Sequence, residues 1–438
     1  MTELADLMVA SLGEPRYDSP LSSYIGGRET NEHYVDEDDR VIFHDTVSLL
    51  AALPGGLGDA PSFEPGGPRR RLYFEPGRTR IGIVTCGGLC PGLNDVIRGL
   101  VMELVKHYGI TEITGFRHGF AGLVPGKGLQ PIVLTPQVVH DINEQGGTIL
   151  GSSRGAQDPH AMVDELVARK INILFVIGGD GSMRGAAGIA AALRERSIPI
   201  GVIGIPKTID NDIGFIGQSF GFVTAFGAAA KSINSAMIEA RSAIGGVGLV
   251  KLMGRHSGFI ACYAALASHE ADFVLIPEVP FGLDGPAGFL DALHQRVKDP
   301  GSAVVVVAEG AGQTMINTGE TDASGNTRLG DIGQHLKIKI TEHFAGQGSP
   351  LTLKYFDPGY LIRSVRADPH DSVYCVRLAQ AAAHAGMAGR TDMVVGRRHN
   401  RFIHVPIAHV VSECNQVAPD GDLWLSVLES TAQPMIMK

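Results

Sequence analysis

The stretch INILFVIGGDGSMRGAAGIAAALRER, residues Ile171–Arg196, decides the fold. Ile171–Ile177 is a nearly unbroken apolar run, so it reads as a strand covered on both faces. Gly178-Gly179-Asp180-Gly181-Ser182 then forms a turn. The Ala-rich segment Met183–Arg196 reads as a helix. A buried strand feeding directly into a helix is the repeating unit of a parallel sheet.

The same pattern recurs on both sides. Arg80–Thr85 (RIGIVT) predicts a strand, and Asn94–Tyr108 has helical apolar spacing. Ile110–Phe116 and Ile198–Pro206 read as further strands. A helix of small residues is expected from about Phe220 to Ala240. Strands are expected at Gly246–Met253, Ala271–Glu278 and Ser302–Gly310, and helices at Pro286–Val297, Gly330–Phe344 and Pro369–Ala388. Strands in this number predict an α/β protein with two doubly wound lobes and largely parallel sheets. In such sheets ligands bind beyond the carboxyl ends of the strands.

Composition sets outer limits. The 438 residues are 44% hydrophobic and 19% charged, enough apolar material for a large core. The net charge of −9 makes nucleic acid a poor candidate partner. Five cysteines, an odd and low number, argue against a disulfide framework and for a reducing cytosol. The opening MTELADLMVASLGEPRYDSP lacks the pattern of a signal peptide, and no apolar run approaches the roughly 20 residues of a membrane span. Residues 1–75, rich in Asp, Glu, Gly and Pro, read as an N-terminal extension with little regular structure of its own.

Chemistry-bearing residues fall just after the strands. The first strand ends in Cys86-Gly87-Gly88-Leu89-Cys90. Glycines at a strand-to-helix turn can face backbone N–H groups toward an anion, although many such turns are only tight turns. Cys86 and Cys90 have no second pair at zinc spacing, which disfavours metal ligation. In Gly179-Asp180-Gly181-Ser182 an acid sits inside a glycine turn, so a nucleotide or polyphosphate could lie on the backbone while Asp180 holds Mg²⁺. The next strand ends in Pro206-Lys207-Thr208-Ile209-Asp210-Asn211-Asp212. One carboxylate there could accept a proton from a hydroxyl, the other could tune it or bind metal, and Lys207 could neutralise a phosphoryl group. The plainer alternative is an acidic loop closed by Asn-Asp turn chemistry. Met253-Gly254-Arg255-His256-Ser257, Glu309-Gly310 and Lys354–Ser364 supply cations and an acid suited to a sugar phosphate, or to ordinary salt bridges.

Taken together, GGLCPGLND, GGDGS, PKTIDND, MGRHSGF, AEG and YFDPGYLIRS resemble the motifs of the 6-phosphofructokinases over about Arg80–Ile407. The likeness is strongest to the branch of plants and trypanosomatids. It implies a phosphoryl-donor lobe of residues 76–221 plus 363–409, and a fructose 6-phosphate lobe of residues 222–362 plus 410–438. It implies Mg²⁺-dependent transfer from ATP to the 1-hydroxyl of fructose 6-phosphate, with Asp210 as general base. Thr208 would hold that hydroxyl, Asp212 would support the base or metal, and Lys207 would assist. Gly87, Arg154, Gly179, Gly181 and Ser182 would line the donor, with Asp180 on Mg²⁺. Met253, Gly254, Arg255 and Glu309 would meet the sugar phosphate, and Lys354, Tyr360 and Arg363 would clamp its 6-phosphate. A homotetramer or dimer is implied, with part of the clamp supplied across subunits.

Two departures stand out. Bacterial members have an arginine where this chain has Gly246, and a glycine where it has Lys207. Pyrophosphate-using members pair an Asp at the Gly181 position with this lysine. Glycine leaves room for the α-phosphate of ATP, so ATP is the expected donor and pyrophosphate the alternative. NAD or lipid kinases share the Gly-Gly-Asp-Gly turn but lack the other motifs in this order. A catalytically inactive regulatory homologue is the remaining alternative, disfavoured by the intact acids and arginines. The first turn lacks a dinucleotide fingerprint, which disfavours a Rossmann oxidoreductase.

Overall fold

The computed structural model describes residues 7–22, 33–299, 301–316, 319 and 328–438. The main elements, in chain order, begin with β1 (Val41–Ile42), β2 (Ser62–Pro65), β3 (Arg80–Thr85), α1 (Leu93–Tyr108), β4 (Glu112–Phe116) and β5 (Ile132–Val133). Next come α2 (Pro159–Ala168), β6 (Ile173–Gly178), α3 (Asp180–Glu195), β7 (Gly201–Pro206), α4 (Phe222–Arg241) and β8 (Gly246–Leu252). Then follow α5 (Phe259–Ser268), β9 (Phe273–Leu275), α6 (Phe289–Lys298), β10 (Ser302–Ala308), α7 (Ile332–Gly346), β11 (Thr352–Phe356) and α8 (Gly359–Ser364). The last are α9 (Pro369–Met387), β12 (Met393–Arg398), β13 (Arg401–Pro406) and α10 (Asp422–Thr431).

The chain divides into two compact units. The first holds Met1–Thr208, Ile213–Gly221 and Arg366–Cys414; the second holds Ile209–Asp212, Phe222–Val365 and Asn415–Lys438. The four residues Ile209–Asp212 therefore belong to the second unit while their neighbours on both sides belong to the first.

The first unit is built on a nine-stranded sheet in the order β1-β2-β13-β12-β7-β6-β3-β4-β5. Its five central strands, β12 to β4, are parallel, and the edges are antiparallel. Every residue of β6 and β7 is buried, because helices cover both faces. Val84, Leu174, Val176 and Val202 pack with Met183, Ala186, Ile189 and Leu193 of α3 in one core. Chain order reverses between β3 and β6, so Thr85 and Gly178, in adjacent strands, end at a switch point where ligands bind in such sheets.

The extension is more ordered than its composition foretells. It contributes β1 and β2 to the sheet edge, and Leu7, Val41 and Phe63 join the core of the first unit. Glu64 and Arg69, 5% and 2% exposed, pair at 2.6 Å, and Glu64 also meets Arg390 at 2.8 Å. The Glu64–Arg390 contact spans 326 residues of chain, so no local pattern announces it.

The second unit has a four-stranded, fully parallel sheet in the order β9-β10-β8-β11. Val247 and Leu249 of β8 face Phe289, Leu293, Leu336 and Ile340 of α6 and α7. On the other face α4 lies so close that a Cβ on Gly246 would stand 1.9 Å from the Ala240 carbonyl oxygen. That position cannot carry a side chain, which is the local reason for the missing arginine.

Candidate functional site

In the first unit three segments meet at the switch point. The Gly87 N–H donates to the Ser153 carbonyl at 3.2 Å, and Ser152 Oγ donates to the Gly87 carbonyl. Thr85 Oγ1 donates to the Gly151 carbonyl at 2.7 Å. The Gly151–Gly155 loop is thus fastened to the first glycine turn, with the Arg154 side chain exposed. Lys207 is only 6% exposed, yet its ammonium donates to the Gly88 carbonyl at 2.7 Å. Its own N–H donates to the Gly178 carbonyl at 2.9 Å. Gly87 lies beside both Lys207 Nζ and Ser182 Oγ, since a Cβ there would stand within 4 Å of each. The structure therefore brings Gly87, Arg154, Gly179, Asp180, Gly181, Ser182 and Lys207 to one rim.

Asp180 and Gly181 open α3, so their N–H groups and the positive end of the helix face that rim. The Asp180 carboxylate is about half exposed and sits 3.0 Å from Arg184 Nη2, one turn on. A Cβ on Gly181 would meet nothing within 4 Å. Thr208 is held by its carbonyl, which accepts from Ser219 Oγ at 2.6 Å. Burial pushes the Cys86 thiol up to about 12, so it carries no thiolate at neutral pH. Among the described residues no group of three or more His, Cys, Asp or Glu side chains could hold a metal ion.

In the second unit the acceptor candidates line one sheet edge. Parallel pairing sets Leu252 beside Ala308, which places Met253-Gly254-Arg255 next to Glu309-Gly310. The Glu309 N–H donates to the Leu252 carbonyl at 2.9 Å, and the Gly310 N–H to the Gly254 carbonyl at 3.0 Å. A Cβ on Gly310 would lie 2.0 Å from the Arg255 carbonyl oxygen, so only glycine permits this approach. Ser257 Oγ donates to the Asp210 carbonyl at 2.9 Å, and the Asn415 N–H to the Asp212 carbonyl at 2.9 Å. Asn211 between the two acids has φ 56°, a left-handed conformation that Asn tolerates. Turn chemistry and the acid pair are therefore features of the same segment.

The helix α8 begins against Met253, where a Cβ on Gly359 would stand 3.5 Å from Met253 Cγ. Within α8 the Arg363 guanidinium stacks over the Tyr360 ring at 4.5 Å. Burial pushes the Glu309 carboxyl above its usual range, while the charges of Lys251, Arg255 and Arg363 pull it back. Lys354 is not brought to this edge. It pairs in register with Gly248, four residues before the end of β8, or roughly 13 Å along the strand. Its ammonium lies 3.8 Å from Glu239 in an open groove of about 390 Å³ lined also by Ser235 and Ile238.

Sequence reasoning missed Lys251 and its partners. Lys251 Nζ lies 2.8 Å from Asp357 and 3.3 Å from Asp331, and the side chain is 16% exposed. One signal was available: it is the single charge in an otherwise apolar strand.

Comparison with known proteins follows this geometry. A family model described as Phosphofructokinase matches residues 80–386. The ATP-dependent 6-phosphofructokinase of Amycolatopsis methanolica is 54% identical, over 98% of this chain and 95% of that protein. ATP-dependent 6-phosphofructokinase of Borreliella burgdorferi is 44% identical, over 100% and 98%. ATP-dependent 6-phosphofructokinase 1 of Arabidopsis thaliana is 44% identical, over 97% and 89%. Among solved structures, a pyrophosphate-dependent phosphofructokinase from Marinobacter aquaeolei superposes with a TM-score of 0.67 at 22% identity, covering 82% of this chain and 92% of that one. That last likeness speaks to the fold alone.

Proposed function

This chain belongs to the phosphofructokinase family, and on that premise we propose which of its residues carry the reaction. It phosphorylates fructose 6-phosphate from ATP, giving fructose 1,6-bisphosphate and ADP, a step of glycolysis. The first unit is the donor unit. Backbone N–H groups at the start of α3, with the Gly87 turn, Arg154 and Ser182, receive the triphosphate. Lys207 neutralises charge on the transferring phosphoryl group.

Mg²⁺ fits this donor set. It is commonly held by one or two carboxylates together with substrate phosphates, and Asp180 offers one exposed carboxylate at the glycine turn. Mg²⁺ bound there would neutralise charge on the donor phosphates. Asp180 would exchange its contact with Arg184 for the ion.

The second unit is the acceptor unit. Asp210 removes the proton of the 1-hydroxyl and Asp212 supports the base; Thr208, the last residue of the segment before them, helps orient that hydroxyl. Met253, Gly254, Arg255 and Glu309 hold the sugar, while Tyr360 and Arg363 receive the 6-phosphate. The observation that carries this assignment is the 2.9 Å bond from Ser257 Oγ to the Asp210 carbonyl. It ties the acid segment to the turn that presents Arg255. Lys354, in mid-strand on β11 at the sheet edge, is offered to the sugar phosphate of a neighbouring copy, and the protein works as a homo-oligomer. We place it in the cytoplasm, a reading supported by five free cysteines.

The test is a coupled assay of initial rates with Mg-ATP and pyrophosphate side by side, on wild type and Asp210→Ala. Expected are turnover with Mg-ATP and a kcat fall of about 10²–10⁴-fold in the variant, with the KM for fructose 6-phosphate nearly unchanged. A loss confined to KM removes Asp210 from the role of base.

A further inference from the structure

Lys251 carries a charge in a place where charge is costly. It lies near the end of β8, whose sequence GVGLVKL is otherwise apolar. Its alternation places it on the face that Val247 and Leu249 turn to the core. An ammonium so placed needs partners in good geometry, because desolvation otherwise outweighs its attraction to them. Among the described residues two carboxylates pair with it, from two different parts of the chain. Asp357, in the loop after β11, lies at 2.8 Å; Asp331, at the start of α7, lies at 3.3 Å.

Each of these carboxylates also organises its own backbone. Asp357 Oδ1 accepts from the Gly359 N–H at 3.3 Å, at the first residue of α8. Asp331 Oδ1 accepts from the Gln334 N–H at 3.2 Å and so caps α7. A single ammonium thus fixes where two helices begin relative to β8. α8 has only six residues, so the position of its start sets the position of Arg363 one turn later. Tyr360, stacked against Arg363, moves with it. Burial disfavours the charged amine, but the Asp357 hydrogen bond and the nearby Tyr355, Asp357 and Asp331 hold its pKa above the usual lysine value. The amine therefore stays charged at every working pH.

We propose that Lys251 is a positioning residue for sugar-phosphate binding: it pins the loop carrying Tyr360 and Arg363, and the start of α7, to the strand that delivers Arg255. The inference rests on the assignment of Arg363 to the 6-phosphate. Lys251 acts through Asp357 and Asp331, whose carboxylates both engage its amine.

The experiment is steady-state kinetics on Lys251→Met, Lys251→Arg, Asp357→Asn, the double variant Lys251→Met/Asp357→Asn, and Arg363→Ala, each with its melting curve. A displacement of about 1 Å at a binding group can cost on the order of 10²-fold. The expected result for Lys251→Met is therefore a KM for fructose 6-phosphate raised about 10–100-fold, with the KM for ATP within about twofold. Asp357→Asn should show the same split more mildly. The double variant should be no worse than Lys251→Met, because both remove one interaction. Lys251→Arg should recover most of the affinity. If Lys251→Met does not fold, Asp357→Asn and Lys251→Arg decide the matter by the same split. Sugar-phosphate KM unchanged in Asp357→Asn and Lys251→Met, or equal losses for both substrates, overturns the proposal. Arg363→Ala separates the two readings. If its sugar-phosphate KM does not rise, the site assignment itself fails; if it rises while the Lys251 and Asp357 variants are silent, only the positioning role fails.

Discussion

Gly181→Asp is the sharpest probe of donor choice, because the protein itself has no objection to the change. A Cβ at Gly181 meets no atom within 4 Å. The residue is the second of α3, where Asp interacts favourably with the helix dipole by about 0.3–1 kcal/mol and where glycine is the weaker helix former. Repulsion from Asp180 offsets part of this gain, and Arg184, one turn away from Asp180, returns some of it. The melting temperature should therefore stay close to that of wild type. The ligand sees something different. If the α-phosphate of ATP lies against this turn, a carboxylate roughly 5 Å from it costs about 3 kcal/mol at an effective dielectric near 20. That corresponds to a fall of about 10²-fold in kcat/KM for ATP, before any steric clash is added. Gly181→Ala fills the same space without charge and should lose less than about tenfold, which separates bulk from repulsion. The assay is kcat/KM for Mg-ATP at fixed, saturating fructose 6-phosphate, alongside a thermal melt. Wild-type ATP turnover in a folded Gly181→Asp protein would refute the reasoning, since it would place the donor away from α3.

Two further outcomes follow from other parts of the molecule. Gly310→Ala forces a methyl to within 2.0 Å of the Arg255 carbonyl; the strand ends must part, so sugar-phosphate KM should rise steeply with a lowered melting temperature, and an unaltered KM would show that Arg255 is not held by this approach. Burial opposes ionisation of Glu64, yet His404 at 3.5 Å and Arg390 at 2.8 Å bring its carboxyl down to about 2 from an ordinary 4.5. A depressed carboxyl contributes stability that is complete above the unfolded value and is lost as pH falls toward 2, on the order of 3 kcal/mol in all. Glu64→Gln should accordingly lower the melting temperature at pH 7 and flatten its decline between pH 4.5 and pH 2; an unchanged acid limb would show that the extension is not anchored by this carboxylate.

Much of the strand-and-turn framework is legible locally. RIGIVT is a strand over the residues its apolar run marks, Arg80–Thr85, and Pro369–Ala388 is a helix to within one residue. Boundaries slip where the cue is chemical and not periodic. α3 begins at Asp180, three residues before the Ala-rich run, because a glycine turn with an acid starts a helix well. β11 was not marked at all. TLKYF is an edge strand of intermediate burial, and its status depends on pairing with β8. The hairpin of β12 and β13 and the short strands of the extension went unread as well.

The sequence by itself determined the strand-to-helix units and the turns that end them, because apolar runs, glycines and acids act on their immediate neighbours. It also set donor and acceptor chemistry in order along the chain. Tertiary structure alone decided which strand ends lie together, that Lys354 stands in mid-strand, and that Gly246 has no room for a side chain. It also decided that one half-buried lysine would hold Asp331 and Asp357. Those outcomes depend on groups 6 to 115 residues apart in sequence, and their energy exists only once the sheets and helices have closed around them.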